Sequence, residues 1–313
     1  MAATTSPGPA VSPKKPGPYP LTAGRRTALL TGVPLCLLLV AFTGFGLVQT
    51  LGNGKFPVRY TFPAQTRQVT VNAAGGNIAV RPAAHGPATL AGTANYSLVR
   101  PHITSRTTGS STSFRYACAS GLLSCGLSAT VGVPAATAVS VSTGGGGATV
   151  TGISGPVTLS SGGGNLAADR TSGPLALHTD GGGIGLTAVT SSAVTASSGG
   201  GNIQAAGITS PSVIMTTDGG NIQATTVKSA TVTASSGGGN IEVAFSGVPR
   251  DVRVTTSGGN ITLLLPVGTT GYHVDAHTDG GTVTDSVPQN TASPNVITAT
   301  SGGGNIVIGE QAP

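Results

Sequence analysis

One short glycine-rich motif recurs at a nearly constant interval, and this constrains the fold more than any other feature. The letters SGGGNI stand at 198–203, 236–241 and 301–306. From Gly147 onward, the residue that follows the glycines recurs after 18, 18, 19, 19, 19, 20, 22 and 23 positions. A propeller blade needs about 40 residues, whereas the compact coils of a β-solenoid use shorter repeats. The spacing therefore favours a solenoid.

Each repeat contains two short patterns with a period of two. In residues 221–235, Ile222 and Ala224 alternate with polar residues, and Val232 and Ala234 do so again after a corner near Val227. This alternation predicts strands with one buried face, and no stretch after residue 55 has a convincing helical period. A unit this small can bury its apolar face only by stacking on its neighbours. We predict an all-β, single-stranded β-solenoid (β-helix) of 18–23-residue coils, about 4.8 Å apart and right-handed.

The glycines and asparagines of the motif have a structural interpretation. The chain has 50 glycines among 313 residues, and glycine permits both positive φ and close backbone approach. Gly200→Val is therefore expected to destabilise the domain far more than Gln204→Val. Stacked asparagines tolerate left-handed geometry and can form a side-chain amide ladder. We assign this structural ladder to Asn165, Asn202, Asn221, Asn240, Asn260 and Asn305.

An uncharged apolar run precedes the repeats. Thr27–Leu51 is long enough for a transmembrane helix, which needs roughly 20 residues. Lys14, Lys15, Arg25 and Arg26 lie before it, so the positive-inside rule places residues 1–26 in the cytoplasm as a proline-rich disordered tail. A cleavable signal peptide has a similar layout and stays an alternative. Residues 52–65 are then a linker, and 66–310 form the extracytoplasmic solenoid.

Residues 83–132 interrupt the repeat and are interpreted as an insertion that caps the first coil. Such a cap would protect the open end of the stack from edge-to-edge association. Cys118 and Cys125 lie in this insertion. Outside the cytoplasm a disulfide between them is expected, with two free thiols as the alternative.

Two patterns could bind metals. His273, Asp275 and His277 occupy alternate positions of a predicted strand and so share one face. Two imidazoles and a carboxylate could hold a metal ion, but no fourth ligand is visible. We therefore favour an outward polar row, and we expect no metal site and no cofactor.

The second pattern, TDGG, contains Asp180, Asp218 and Asp279. Calcium needs six to eight oxygen ligands, so solvated turns are the simpler interpretation. Ser198 and Ser236 are expected in the coils beside Asp218, which would keep the stacked carboxylates apart.

The segments VGVPAATAVSVSTGGGGATVTGISGPVTLSSGGGNL (131–166) and LLLPVGTTGYHVDAHTDGGTV (263–283) resemble the bacterial "putative adhesin" β-strand repeat family, a membrane-anchored domain of unknown function. The resemblance covers about residues 66–310. It implies an extracytoplasmic β-helix behind a single anchor, linked to the cell envelope and without catalytic residues. This chain often has Asn where the family more often has Asp or another polar residue.

Three functions follow as hypotheses. The first is a non-enzymatic cell-envelope or surface protein, an adhesin-like binding or structural module whose partner is an unknown envelope macromolecule or protein. The second is an envelope-stress sensor or regulator that uses the cytoplasmic tail. The third is a polysaccharide-acting enzyme, which would need Asp251, Asp275 or Asp285 to meet Arg250 or Arg253 in a groove. No catalytic triad is evident, and the absence of a basic stripe with aromatics excludes nucleic acid as an expected partner.

Overall fold

The computed structural model describes residues 53–83, 86–118, 124–267 and 271–311. All regular structure in these ranges is β, in 25 strands, which confirms the all-β prediction. None of the described residues forms a helix capable of crossing a membrane. The predicted transmembrane helix at 27–51 and the predicted tail at 1–26 lie outside the described residues.

The strands form two long sheets. Sheet A has 13 strands, in spatial order β1-β4-β7-β3-β9-β11-β13-β15-β17-β19-β21-β25-β23, and sheet B has 12, in the order β22-β24-β20-β18-β16-β14-β12-β10-β8-β2-β6-β5. The strands of sheet A are β1 (Asn53–Thr61), β3 (Ile78–Pro82), β4 (Thr89–Ser97), β7 (Cys125–Val133), β9 (Ala148–Thr151), β11 (Leu166–Asp169), β13 (Ile184–Thr190), β15 (Ile203–Thr209), β17 (Ile222–Lys228), β19 (Ile241–Phe245), β21 (Ile261–Pro266), β23 (Val283–Asp285) and β25 (Ile306–Gln311). The strands of sheet B are β2 (Gln68–Ala73), β5 (His102–Thr108), β6 (Ser111–Ala117), β8 (Ala138–Thr143), β10 (Val157–Ser161), β12 (Leu175–Thr179), β14 (Val194–Ser198), β16 (Ser212–Thr217), β18 (Thr231–Ser236), β20 (Asp251–Thr256), β22 (His273–Thr278) and β24 (Val296–Ser301).

Consecutive coils pair in parallel and in register. Ile184 lies beside Ile203, which lies beside Ile222 in the next coil. Each coil gives one strand to each sheet, and its inward Val, Ile, Leu and Ala side chains enter one continuous core. That core is built from residues between Val58 and Ile308, which all belong to one compact unit, Gly52–Pro313. The result is a solenoid-like stack.

The stack departs from chain order at its C-terminal end. Strands β24 and β25 lie between the coil of β20 and β21 and the coil of β22 and β23. We expected every coil to stack on its neighbour in sequence, and here that expectation is wrong. The segment 286–295 supplies the chain needed for the return, and its Val287 and Ser293 are buried against the end of the core.

The N-terminal end has a different construction. Within 83–132, strands β6 and β7 pair in parallel with β2 and β3, while β4 and β5 are antiparallel. The predicted linker 52–65 is wrong for most of its length, because Asn53–Thr61 forms β1 and pairs with β4. Phe56, Val58 and Tyr60 alternate along β1 and pack on the core. Tyr60 also contacts the rings of Phe62 and Phe114, with centroids 5.0 and 5.9 Å away.

The glycine turns work by close approach rather than by positive φ. Among the described glycines of the repeated turns, only Gly76 has positive φ, so our φ argument is wrong for the others. A Cβ on Gly201 would collide with the carbonyl oxygen of Gly182 in the preceding coil. A Cβ on Gly200 would meet nothing nearer than the Gly181 oxygen at 4.0 Å. The expectation that Gly200→Val strongly destabilises the domain is therefore wrong, and Gly199 and Gly201 are the positions of this turn that need glycine.

Candidate binding surfaces

The asparagines form a ladder that differs in chemistry from the expected one. The backbone N–H groups of Asn221, Asn240 and Asn260 each donate to the side-chain oxygen of the asparagine one coil before, at 2.8 Å. The N–H of Asn305 donates in the same way to Asn260. The partners are side chain and backbone, not two side-chain amides. The reason is that the peptide N–H at this corner points along the stack towards the neighbouring coil.

The ladder has breaks where glycine replaces asparagine. Asn165 accepts from the N–H of Gly183 at 2.8 Å, and Asn77 accepts from Gly147 at 2.9 Å. Each glycine receives the bond but has no side chain to continue it. Beyond the last break, Asn202 begins an uninterrupted run that ends with the N–H of Thr282 on Asn305 at 2.9 Å.

This geometry leaves a row of donors facing outward. The ladder uses only the side-chain oxygens, and the exposed Nδ2 groups of Asn202, Asn221 and Asn240 donate to no acceptor among the described residues. One amide donor therefore projects from each of these three coils, about 4.8 Å from the next.

A second polar row lies beside the first on sheet A. Gln204, Gln223 and Glu242 are in register on β15, β17 and β19 and point outward. Three adjoining depressions of about 250, 310 and 450 Å³ run along these rows and share Gln204. We call this surface the amide groove. Its lining includes Asn165, Gly183, Gly185, Asn202, Gln204, Asn221, Gln223, Asn240 and Glu242.

The two ends of the amide groove differ. Gly183 and Gly185 contribute no side chains at one end, which widens it. At the other end, Gln223 Nε2 donates to the Glu242 carboxylate at 3.3 Å. Glu242 is the one charged residue that lines the described groove, so its chemistry is that of neutral hydrogen bonding.

In one outward column of sheet B, hydroxyl groups alternate with apolar side chains from Thr158 to Thr233. The outward column of Thr158, Thr195 and Thr233 is interrupted by Ala176 and Ile214. The inward hydroxyls at the end of these strands are instead continuous: Ser198 donates to the carbonyl of Gly182, and Ser236 to that of Gly220, both at 2.8 Å. These buried hydroxyls tie each glycine turn to the coil before it.

The carboxylates of Asp180 and Asp218 lie two coils apart, but the residues beside Asp218 are not the serines that we expected. Ser198 is paired with Thr217, which places Gly199 beside Asp218. On the other side Thr217 is paired with Ser236, which places Gly237 beside Asp218. Glycine, and not serine, therefore separates the carboxylates of alternate coils.

The cysteines lie at the edge of the N-terminal cap. Cys118 and Cys125 form a disulfide with Cα atoms 5.7 Å apart. It joins the end of β6 to the start of β7. Nearby, Tyr116 is buried and its hydroxyl donates to the carbonyl of Asn95 at 2.9 Å. Burial raises the pKa of Tyr116 above the ordinary phenol value.

The weak metal candidates lie on an outward row. His273, Asp275 and His277 are exposed on β22, while Val274 and Ala276 pack towards the core. His277 Nε2 lies 3.0 Å from the Asp279 carboxylate instead of turning to a shared centre. No group of three metal-binding side chains occurs among the described residues.

Asp251 and Arg253 occupy alternate exposed positions of β20. Among the described residues, no ion pair joins any of the three acids predicted for a glycan-cleaving site to Arg250 or Arg253. Arg253 and Asp275 share an outward column of sheet B, but Thr298 stands between them. Asp285 instead accepts a hydrogen bond from Gln289. The described part of the chain has one ion pair between an acidic residue and Lys or Arg, Asp169 with Arg170 at 2.7 Å.

Together these features define an extended all-β repeat protein whose polar side chains are displayed along the outside of stacked coils. The family model Toastrack DUF4097 matches residues 55–308. The chain therefore belongs to the Toastrack DUF4097 family. A comparison with curated proteins finds no match.

Three crystal structures are similar to this chain. A "putative adhesin" from Bacteroides fragilis is 13% identical, with 82% of this chain and 97% of that one covered and a TM-score of 0.42. A "putative cell adhesion protein" from Clostridium sporogenes is 14% identical, with 82% and 100% covered and a TM-score of 0.27. A "putative adhesin" from Parabacteroides distasonis is 8% identical, with 82% and 97% covered and a TM-score of 0.38.

Proposed function

We propose that this protein is a non-enzymatic, adhesin-like binding module of the bacterial cell envelope. The apolar run Thr27–Leu51 anchors it in the cell membrane, with the N-terminus in the cytoplasm and the β domain outside. Its partner is an extended envelope glycan that lies along the amide groove.

The observation that carries this proposal is the double row of amides on sheet A. Asn202 and Gln204, followed by Asn221 and Gln223, repeat the same pair of donors and acceptors at the spacing of neighbouring strands. A sugar ring advances an extended glycan by a similar distance. Successive sugar rings can therefore contact successive coils. The polar groups of each ring can form hydrogen bonds with the uncharged amide side chains of the groove.

The charge of the groove also favours a neutral polymer. Lys and Arg do not line the groove, and Glu242 would repel a polyanion. The described lining has no aromatic side chain to stack on a sugar, so each ring would bind weakly. Affinity would then come from the number of coils that engage one chain, as in other multivalent binding.

A sedimentation assay with insoluble cell-wall polysaccharide tests the proposal. Purified residues 53–311 should co-sediment, and Gln204→Ala with Gln223→Ala should weaken binding about tenfold or more, since each lost hydrogen bond contributes about 1 kcal/mol. Thr195→Ala with Thr233→Ala changes the outward face of sheet B and serves as the matched control. Equal binding by both double variants, or no binding by the wild type, would contradict a glycan site in the amide groove.

A further inference from the structure

The charges of the β domain are segregated along the stack. Between residues 53 and 168 there is no Asp or Glu, but there are seven exposed cations: Lys55, Arg59, Arg67, Arg81, Arg100, Arg106 and Arg115. After Arg253 there is no Lys or Arg, but there are four exposed acids: Asp275, Asp279, Asp285 and Glu310. Opposite ends of the domain therefore carry opposite charge.

The sheet order places these groups at the ends of the stack. Strand β1, with Lys55 and Arg59, is the last strand of sheet A, and β5, with Arg106, is the last strand of sheet B at the same end. Arg115 lies on β6, next to β5, and Arg100 lies in the connection between β4 and β5. We call these five residues the basic cap. The opposite end is formed by β22 and β23, which carry Asp275 and Asp285.

Apolar side chains are exposed next to the basic cap. Leu98 is 43% exposed and Val99 is 49% exposed, and both lie directly before Arg100. Leu98 has a φ of 64°, a left-handed conformation that is unusual for a leucine. The Ser97 hydroxyl donates to the Asn53 side chain at 2.7 Å, which fixes this tip beside the first residue of β1.

The position of Asn53 in the sequence indicates which partner the basic cap meets. Asn53 follows the apolar run Thr27–Leu51 after a single residue, Gly52. If the run spans a membrane, the surface that meets the lipid is the end of the domain that carries the cations and the apolar tip. Cations with a short exposed apolar segment are the combination that binds an interface of anionic lipids.

We propose that the basic cap rests on the anionic phospholipid surface of the membrane, with Leu98 and Val99 in the headgroup region. This inference rests on the membrane anchor of the proposed function. The acidic end at β22 and β23 is repelled by the same surface. The two interactions together orient the stack away from the membrane and direct the amide groove along its length outward.

Vesicle co-sedimentation of residues 53–311 tests the basic cap without the anchor. The domain should bind vesicles that contain phosphatidylglycerol, bind pure phosphatidylcholine far more weakly, and be released by about 0.5 M salt, which screens exposed charges. Arg100→Gln, Arg106→Gln and Arg115→Gln together should weaken binding about 100-fold, or about fivefold for each cation.

Two further double variants separate the contribution of the basic cap to vesicle binding from that of cations elsewhere and of the exposed apolar side chains. Arg250→Gln with Arg253→Gln removes cations outside the basic cap and should leave binding within about twofold. Leu98→Ser with Val99→Ser keeps every cation and should still weaken binding at low salt. Circular dichroism of every variant reports whether the domain is folded.

Equal binding to both kinds of vesicle would overturn the proposal. So would concentration-dependent sedimentation without vesicles, which would indicate that the basic cap binds the acidic end of a second copy. The anchor is tested separately by alkaline extraction of membranes that contain the full chain. Release of the full chain would contradict the anchor, whatever the vesicles show for the isolated domain.

Discussion

The backbone N–H of Asn240 donates to the side-chain oxygen of Asn221, 2.8 Å away in the preceding coil. Asn221 in turn donates its own backbone N–H to the side-chain oxygen of Asn202. Asn221→Ala should therefore lower the free energy of unfolding by about 1 kcal/mol, since one hydrogen bond is lost at an exposed corner. Asn221→Asp keeps an acceptor and should retain most of the stability. Urea denaturation distinguishes them, and an equal loss in both variants would contradict the acceptor role.

Adjacent glycines of one turn provide a second test. Gly201→Ala should destabilise the domain by several kcal/mol or prevent folding, because its Cβ would overlap the backbone of Gly182. Gly200→Ala places its Cβ in open space and should change stability by less than about 0.5 kcal/mol. Thermal denaturation of the pair measures the difference. Similar melting temperatures would mean that the coils can separate at this corner without cost.

Neighbouring serines provide a third comparison. The buried Ser236 hydroxyl donates to the Gly220 carbonyl and accepts from the Gly239 N–H, both at 2.8 Å. Ser236→Ala should cost about 1–3 kcal/mol, because it leaves buried backbone groups unpaired. Ser235→Ala changes the outward side of the same strand and should be nearly neutral. Chemical denaturation of the two variants gives the comparison, and a larger loss for Ser235→Ala would contradict it.

Tyr116 gives the domain a dependence on alkaline pH. Its pKa in the folded state is raised by burial, so the folded state binds this proton more tightly than the unfolded state does. The resulting stability is fully present below the ordinary value of 10.0 and is lost as the pH rises through the higher folded pKa. Tyr116→Phe should be less stable at neutral pH by about 1 kcal/mol and should lose less stability above pH 10. The free energy of unfolding of both proteins, measured below and above pH 10, tests this prediction. The same pH dependence in both proteins would contradict the role of Tyr116.

The sequence predicted the parts of this fold that depend on local alternation. The inward residues of β16 and β18 follow directly from their period of two, as do the first two inward residues of β15 and β17, and the asparagine positions follow from the repeat. The stacking order at the C-terminal end could not be predicted, because equivalent coils present nearly the same edge. By sequence, the turn SGGGNI at 301–306 is as suitable to stack on the coil that contains Asn260 as the turn TDGGTV at 278–283.

Other features depend on distances between coils that a single repeat does not contain. The different roles of Gly200 and Gly201 are set by where the carbonyl of the preceding turn points. β1 was missed because its partner β4 lies in a region without the repeat. The amide groove was missed as a surface because Gln204 and Gln223 are neighbours only after the coils have stacked in register.

The position of β25 between β21 and β23 has a consequence for biosynthesis. The residues of β22 and β23 leave the ribosome before those of β24 and β25, yet every described strand pairing that joins them to the stack passes through β24 or β25. The coil at 273–285 therefore has to wait unpaired until β24 and β25 have been synthesised. A chain that stops before Val296 would leave that coil without its sheet partners, so the synthesis of β24 and β25 is the step that closes this end of the stack.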